Sequence, residues 1–306
     1  MEERECFDLN QAPGVRELFT AEAFAQLRSD PVLPGRVAVL RDREAELGLM
    51  EERIGPSEVN RLCQEHIIQM LDEENAAKIA VTPEDSGAFL QAIFSLPRNP
   101  STARRRRRVR EAARIYRQKQ MDALFLPRDI DGFRQLWELA MEGEPRWSED
   151  YPSSAFRAER ALVVGSMIKG NVLQVCSAPE NYEKDLTLLL TVLSDNALLP
   201  EIRAVCGFGL FEFIHPFQDG NGHTGRMLMT SALGSLYHLP VIVCFSQETV
   251  MNRGRTLRQF EMIRSRKGLL NDFCSDILSQ FEEAQIKAAK ILQKARPDHT
   301  LTFIGQ

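Results

Sequence analysis

Residues 215–226 read His-Pro-Phe-Gln-Asp-Gly-Asn-Gly-His-Thr-Gly-Arg, and apolar stretches flank them on both sides. Before them, residues 202–214 (IRAVCGFGLFEFI) place Ile202, Val205, Phe208, Gly209, Glu212 and Phe213 at helical spacing, which predicts a buried helix despite two glycines. That helix should stop at His215-Pro216, because a residue before proline is pushed out of the α region. Phe217 then serves as an apolar anchor for the loop. Gly220 and Gly222 permit positive φ and close approach of a ligand to the backbone. A second helical pattern, HTGRMLMTSALGSLYHL, follows over 223–239. Successive N–H groups at the start of such a helix form an anion site.

The side chains in this loop suit phosphate-group transfer. A neutral imidazole at His215 can take the proton of an attacking hydroxyl. Asp219 suits Mg²⁺, which binds through one or two carboxylates plus substrate phosphates. Arg226, one helical turn beyond Gly222, can reach back to a terminal phosphate as a bidentate donor. Each residue alone has a plain structural reading: a satisfied histidine, an N-capping aspartate, a glycine turn, a surface arginine. One short loop between apolar helices has no structural need for all four. A hydrolytic metal site is the rival chemistry, since His215, Asp219 and His223 stand at i, i+4 and i+8. The glycines at 220 and 222 interrupt that spacing.

These residues resemble the Fic domain, recognised by His-x-Phe-x-Asp/Glu-Gly-Asn-Gly-Arg-x-x-Arg. His215, Phe217, Asp219, Gly220, Asn221, Gly222 and Arg226 match it. The resemblance runs from Arg105 to Phe281 and includes Asn252-Arg253, similar to the part of the family that closes over the nucleotide base. It implies a protein adenylyltransferase that moves AMP from Mg-ATP to a Ser, Thr or Tyr hydroxyl of a target protein and releases pyrophosphate. In that reading His215 is the base and Asp219 the Mg²⁺ ligand. Gly220, Asn221 and Gly222 bind the α/β-phosphates, and Arg226 the γ-phosphate. His223 stands where the family has its first arginine, also on the phosphate chain. Histidine offers one hydrogen bond and no bidentate fork, so weaker triphosphate binding is expected. Another nucleotide or phosphate-containing donor, or a catalytically weakened interaction module, stays open.

The resemblance also implies a mainly α fold, a helical bundle with one small β-hairpin as a flap, preceded by a helical N-terminal region. Residues 161–177 (ALVVGSMIKGNVLQVCS) carry β-branched residues on both sides of Gly170-Asn171, which predicts that hairpin. The chain divides into a helical region over 1–100, a Fic-like catalytic domain over 105–281, and a C-terminal helix extension and tail over 282–306. Further helices are expected over 57–80, 86–96, 109–125, 132–143, 182–198 and 256–295. Residues 97–102 form the best linker, and Pro145 and Pro152 bracket an irregular loop. Arg104–Arg108 read as a solvated helix start. Many relatives carry an inhibitory Ser/Thr-x-x-x-Glu-Gly/Asn helix. The nearest form here, Ser279 to Glu283 followed by Ala284, lacks the final residue type and reads as a solvated helix face.

Composition narrows the setting. The chain has 306 residues, 43% hydrophobic and 26% charged, with net charge −5. That balance argues against a general nucleic-acid partner. Six cysteines without metal or disulfide spacing suggest a reducing compartment. The acidic start has no signal-peptide core, and no apolar run is long enough to span a membrane. The expectation is a cytoplasmic protein with no membrane partner, a secreted effector being left open. The family resemblance implies, as its partner, a protein substrate bearing a hydroxyl. A regulatory partner or homo-oligomer stays open.

Overall fold

The computed structural model describes residues 14–70, 103–120, 125–142, 155–159, 162–166, 171–265 and 269–295. The expected helix over 86–96, the linker over 97–102, the loop bracketed by Pro145 and Pro152, and residues 71–80 of the predicted 57–80 helix lie outside them. The helices are α1 (Val15–Leu18), α2 (Ala21–Arg28), α3 (Leu33–Ile54), α4 (Pro56–Gln69), α5 (Ala103–Gln120) and α6 (Ile130–Met141). They continue as α7 (Tyr182–Leu193), α8 (Pro200–Ile214), α9 (Asn221–Leu233), α10 (Leu239–Met251), α11 (Arg253–Arg264) and α12 (Leu270–Leu292). The fold is mainly helical, as expected. None of the described helices is long and apolar enough to cross a membrane.

Strands β1 (Leu162–Ser166) and β2 (Asn171–Val175) form the expected antiparallel hairpin, pairing Leu162 with Val175 and Ser166 with Asn171. Asn171 therefore opens β2 instead of lying in the turn. The ladder is irregular on either side of Val164.

The chain divides into two compact units, each assembled from separate stretches. The first comprises residues 1–36, 125–233 and 252–279. Its centre is α8, which packs against α7 and α9 and is buried along nearly its whole length. Pro200 starts the helix, where a missing N–H costs nothing. The two glycines inside it have a packing reason. A Cβ at Gly207 would come within 2.6 Å of Leu193, and one at Gly209 within 2.8 Å of Phe273. Around α8 lies an aromatic core. Phe213 meets Phe19 and Phe260 edge to face, and Phe208 lies 6.3 Å from both Phe260 and Phe273.

The second unit comprises residues 37–124, 234–251 and 280–306. In it α10 packs against α5 and α4. Phe281 sits edge-on between Tyr237 and Phe245, each with its centroid 4.5 Å away. The side chains of Arg104–Arg108 lie outside the description. From Val109 to Gln118, however, α5 is buried almost all round, including Arg110, Glu111 and Arg114, so this stretch of the helix is charge-rich without being solvated. Glu283, in contrast, is exposed on α12.

Two predicted helices are each split. The pattern over 223–239 divides into α9 and the start of α10. The intervening turn is held by the Lys119 ammonium, which donates to the carbonyls of Gly234 and Tyr237. The 256–295 pattern breaks between α11 and α12, where the Leu269 N–H donates to the Asp272 carboxylate at 3.1 Å. Both breaks depend on partners that helical periodicity does not report.

Near the same turn, Glu44 Oε1 accepts from the His238 backbone N–H and pairs with its Nδ1, each at 2.6 Å. Chiefly this hydrogen bond, opposed by burial, raises the His238 pKa above its usual value. A raised histidine stabilises the fold fully below its unfolded value and loses that contribution as pH rises through the folded one. Denaturation midpoints of the wild type and Glu44→Gln should therefore differ most near about pH 5.5, below the ordinary histidine value, and draw together as pH rises through the raised folded one.

Candidate active site

The C-terminus of α8 fixes the first site residue. His215 caps the helix with φ 50° and ψ 56°, and its N–H donates to the Phe211 carbonyl at 2.8 Å. Among the described residues it is the only non-glycine with positive φ. The helix stops there as expected, but through a left-handed turn instead of extended backbone. Such a conformation costs about 1–3 kcal/mol and persists only where its surroundings over-determine it. Arg157 supplies them. Its Nε donates to the His215 carbonyl at 2.5 Å, and its Nη2 to those of Ile214 and Ser177 at 3.3 Å. Its backbone N–H donates to Pro216 O at 2.9 Å, beside the bridge that pairs Phe156 with Phe217. One guanidinium thus satisfies helix-end carbonyls that lack intrahelical donors. Nothing in the local sequence distinguishes Arg157 from the other arginines of the chain.

The His215 side chain is 23% exposed, and its Nδ1 is buried 3.8 Å from Glu212 Oε2, beyond hydrogen-bonding distance. Burial, followed by the nearby Arg157 charge, brings its pKa down to about 4 against opposing pulls from the Glu212 backbone and, less, from Asp219. The imidazole is therefore neutral near pH 7. With Nδ1 buried, Nε2 is the nitrogen left for a substrate.

The loop after His215 is closed by side chains as much as by glycine. Phe217 is fully buried, with Trp137, Phe156 and Phe211 ring centroids 5.5, 5.4 and 6.2 Å away. The Asn221 amide brackets it. Its Oδ1 accepts from the Phe217 N–H at 2.9 Å, and its Nδ2 donates to the Phe217 carbonyl at 2.6 Å. What Asn221 can offer an anion is consequently its main chain. Gly220 has φ 80°, and a Cβ there would strike Met141 Sδ at 2.3 Å and Trp137 Nε1 at 2.8 Å. Its glycine requirement comes from the aromatic core as well as from the turn. Gly222 lies in the first turn of α9 and does not share the positive φ expected of it.

Asp219 stands at the loop rim, half-buried. Its Oδ1 accepts from the Gly220 N–H at 2.7 Å, and its carbonyl accepts from Trp137 Nε1 at 2.7 Å. The Gly220 carbonyl accepts from the N–H groups of His223 and Thr224 at 3.0 and 2.9 Å, starting α9. The N–H groups of Asn221 and Gly222 belong to the first turn, whose donors have no intrahelical acceptor. The loop thus leads into a helix N-terminus suited to an anion.

His223 and Arg226 lie one turn apart on α9, both buried, and Arg226 Nη2 donates to His223 Nδ1 at 3.3 Å. His223 therefore turns along its own helix and does not join His215 and Asp219. Among the described residues no three His, Cys, Asp or Glu side chains gather as a metal site, which leaves the hydrolytic metal reading without support. A residue overlooked in the sequence completes the arrangement. Glu212 Oε1 lies 2.6 Å from the Cβ position of Gly225 and 3.9 Å from that of Gly222, and Arg226 Nη1 is 3.1 Å from the latter. The carboxylate thus fills space that the α9 glycines leave, beside the Arg226 guanidinium. Burial raises the Glu212 pKa to about 7 against the pull of Arg226 and Arg253. Its sequence signal was a lone acid in an apolar helix, three residues before His215.

Replacing Gly220 with alanine meets both the positive φ and the Trp137–Met141 contact. The expected loss is about 2–4 kcal/mol of stability, measured by denaturant unfolding with Gly254→Ala as the control. Gly254 has open space at its Cβ position and no positive φ, so its replacement should be close to neutral.

Comparison with known proteins follows the same stretch. Residues 131–233 match the Fic/DOC family. Among solved structures, a Fic family protein from Desulfovibrio desulfuricans is 19% identical, over 85% of this chain and 75% of its own, with a TM-score of 0.59. Fic-1 from C. elegans, residues 134–508, is 16% identical over 92% of this chain and 82% of its own, with a TM-score of 0.51. No curated protein matches the chain. The motif of residues 215–226 thus falls inside a stretch, residues 131–233, that matches the Fic/DOC family, and the chain shares its fold with Fic family structures.

Proposed function

We propose that this domain is a protein adenylyltransferase, which moves AMP from Mg-ATP to a Ser, Thr or Tyr hydroxyl of a target protein. The observation that carries the reading is the placement of His215. A neutral imidazole is locked at the end of one buried helix, and the loop it opens runs into the N-terminus of the next. The target hydroxyl attacks the α-phosphorus, forming the new P–O bond. The Pα–O–Pβ bond breaks and pyrophosphate leaves, while the hydroxyl proton passes to His215 Nε2.

The other residues bind and orient the donor. The first N–H groups of α9, those of Asn221 and Gly222, receive α/β-phosphate oxygens with the helix dipole behind them, and Gly220 sets the turn that aims them. Arg226 faces the far end of the phosphate chain, with His223 beside it. A single half-buried carboxylate at the loop rim fits Mg²⁺, which takes its remaining ligands from phosphate and water. Asp219 would hold that ion, and the ion would neutralise charge on the phosphates.

A second reading keeps the site and changes the donor. It is favoured by His223, which stands where relatives of this motif carry an arginine. The donor is then another nucleotide or phosphate-containing compound. Incubation of the full chain with ATP, UTP, GTP and CDP-choline in turn, read by intact mass, separates the two readings. A mass gain of AMP from ATP alone supports adenylylation. No gain from any donor, with a candidate target also present, leaves a Fic-like interaction module.

Two outcomes are expected of the chemistry. With α-labelled ATP, His215→Ala should lose transfer by about 10²–10⁴-fold while far-UV circular dichroism is unchanged. Because His215 is brought down to about 4, the fall in kcat/KM that reports protonation of the base should appear only below about pH 5.5, separate from any change near pH 7 that comes from Glu212. Arg157→Gln removes a cation that depresses this pKa, so its acid limb should move to higher pH.

A further inference from the structure

His223 departs from the motif at a position where its own geometry supplies a role. It lies in the first turn of α9 and is 8% exposed, and Arg226, one turn on, is 7% exposed. The 3.3 Å contact joins Arg226 Nη2 to His223 Nδ1. A guanidinium in a protein is always charged and offers only donors. The arginine therefore donates, the imidazole accepts at Nδ1, and the His223 proton resides on Nε2. The Arg226 charge also acts on Glu212 of α8. Arg226 Nη1 and Glu212 Oε1 lie 3.1 and 3.9 Å from one point, the Cβ position of Gly222. Arg226 thus meets an acceptor nitrogen of its own helix in the neighbourhood of a carboxylate of α8.

A second arginine at 223 could not do this. It has no acceptor atom, and it would bring a like charge beside a buried guanidinium. We propose that His223 is a positioning residue for Arg226, a neutral hydrogen-bond acceptor that fixes the guanidinium, so that α9 presents one oriented arginine to the anion at its N-terminus. The inference rests on the reading of that end of α9 as a phosphate-chain site. It reverses the expectation drawn from the motif: the imidazole is no weakened phosphate ligand, and restoring arginine costs affinity.

The test uses the full chain and three variants. His223→Asn keeps an acceptor, because Oδ1 takes the place of Nδ1. His223→Leu removes it, and His223→Arg adds the second cation. The first readout needs no nucleotide: the side-chain ¹⁵N–¹H signals of Arg226, assigned by their loss in Arg226→Lys. Restricted, separately resolved Nη signals are expected in the wild type and His223→Asn, and averaged signals in His223→Leu. The second is the Kd for Mg-ATP by calorimetry. His223→Asn should stay within about threefold of the wild type, and the other two should weaken by about tenfold, the value of one charge-assisted hydrogen bond. Tighter ATP binding by His223→Arg, or unchanged Arg226 signals in His223→Leu, overturns the proposal. If His223→Arg does not fold, the Asn and Leu variants still decide it. Absence of ATP binding by the wild type counts against the nucleotide reading alone, since the Arg226 signals report on His223 independently.

Discussion

A helix buried along nearly its whole length must end somewhere, and its last carbonyls must find donors away from water. In α8 that requirement falls on Arg157, which reaches from the strand-like segment before the hairpin to the carbonyls of Ile214 and His215. The left-handed turn at His215 depends on it, and so does the direction of the imidazole. The same segment contributes the bridge between Phe156 and Phe217, so the helix end and the loop after it are held by one piece of chain. Cap, turn and base form a single mechanical unit in which the functional side chain is the strained member.

The loop beyond it divides its work between side chains and backbone. Phe217 anchors it in an aromatic cluster, and Asn221 grips Phe217 by both of its backbone polar groups. Gly220 makes the turn against Trp137 and Met141. With these groups engaged internally, what faces a ligand is the main chain of the first α9 turn. A cradle of N–H groups is rigid, uncharged and already desolvated on one side. It therefore binds an anion with little reorganisation.

The charges behind the cradle partly offset each other. Arg226 is buried with His223 beside it and Glu212 nearby, and Glu212, at about 7, is poised between its two protonation states. In the proposed reading, the state of this carboxyl group would set how much positive potential the guanidinium projects toward a phosphate. The electrostatics of the site thus follow from α8 as much as from the glycine loop, because the acid and the imidazole base stand one turn apart on the same helix end.

Much of this was legible in the sequence. The apolar helix, its halt before Pro216, the Phe217 anchor, the glycine turn and the hairpin all follow from local pattern, since periodicity, proline and glycine act over a few residues. The family motif in residues 215–226 is local as well. What the sequence could not reveal were partners separated in the chain: Arg157 on His215, Trp137 on Asp219, Lys119 in the turn that splits α9 from α10. Nor could it show that the charged run of α5 after Val109 is buried, because burial depends on what packs around a helix and not on its own composition. The sequence by itself determined that this loop carries a histidine, a carboxylate, a glycine turn at a helix start and a cation. Only the tertiary structure decided their states: a neutral His215, an Asn221 turned inward, and a His223 that faces Arg226. Desolvation sets the first and arises only when distant segments come together, while the other two rest on hydrogen bonds to Phe217 and Arg226, close in the chain, whose geometry exists only once the loop and helix have formed.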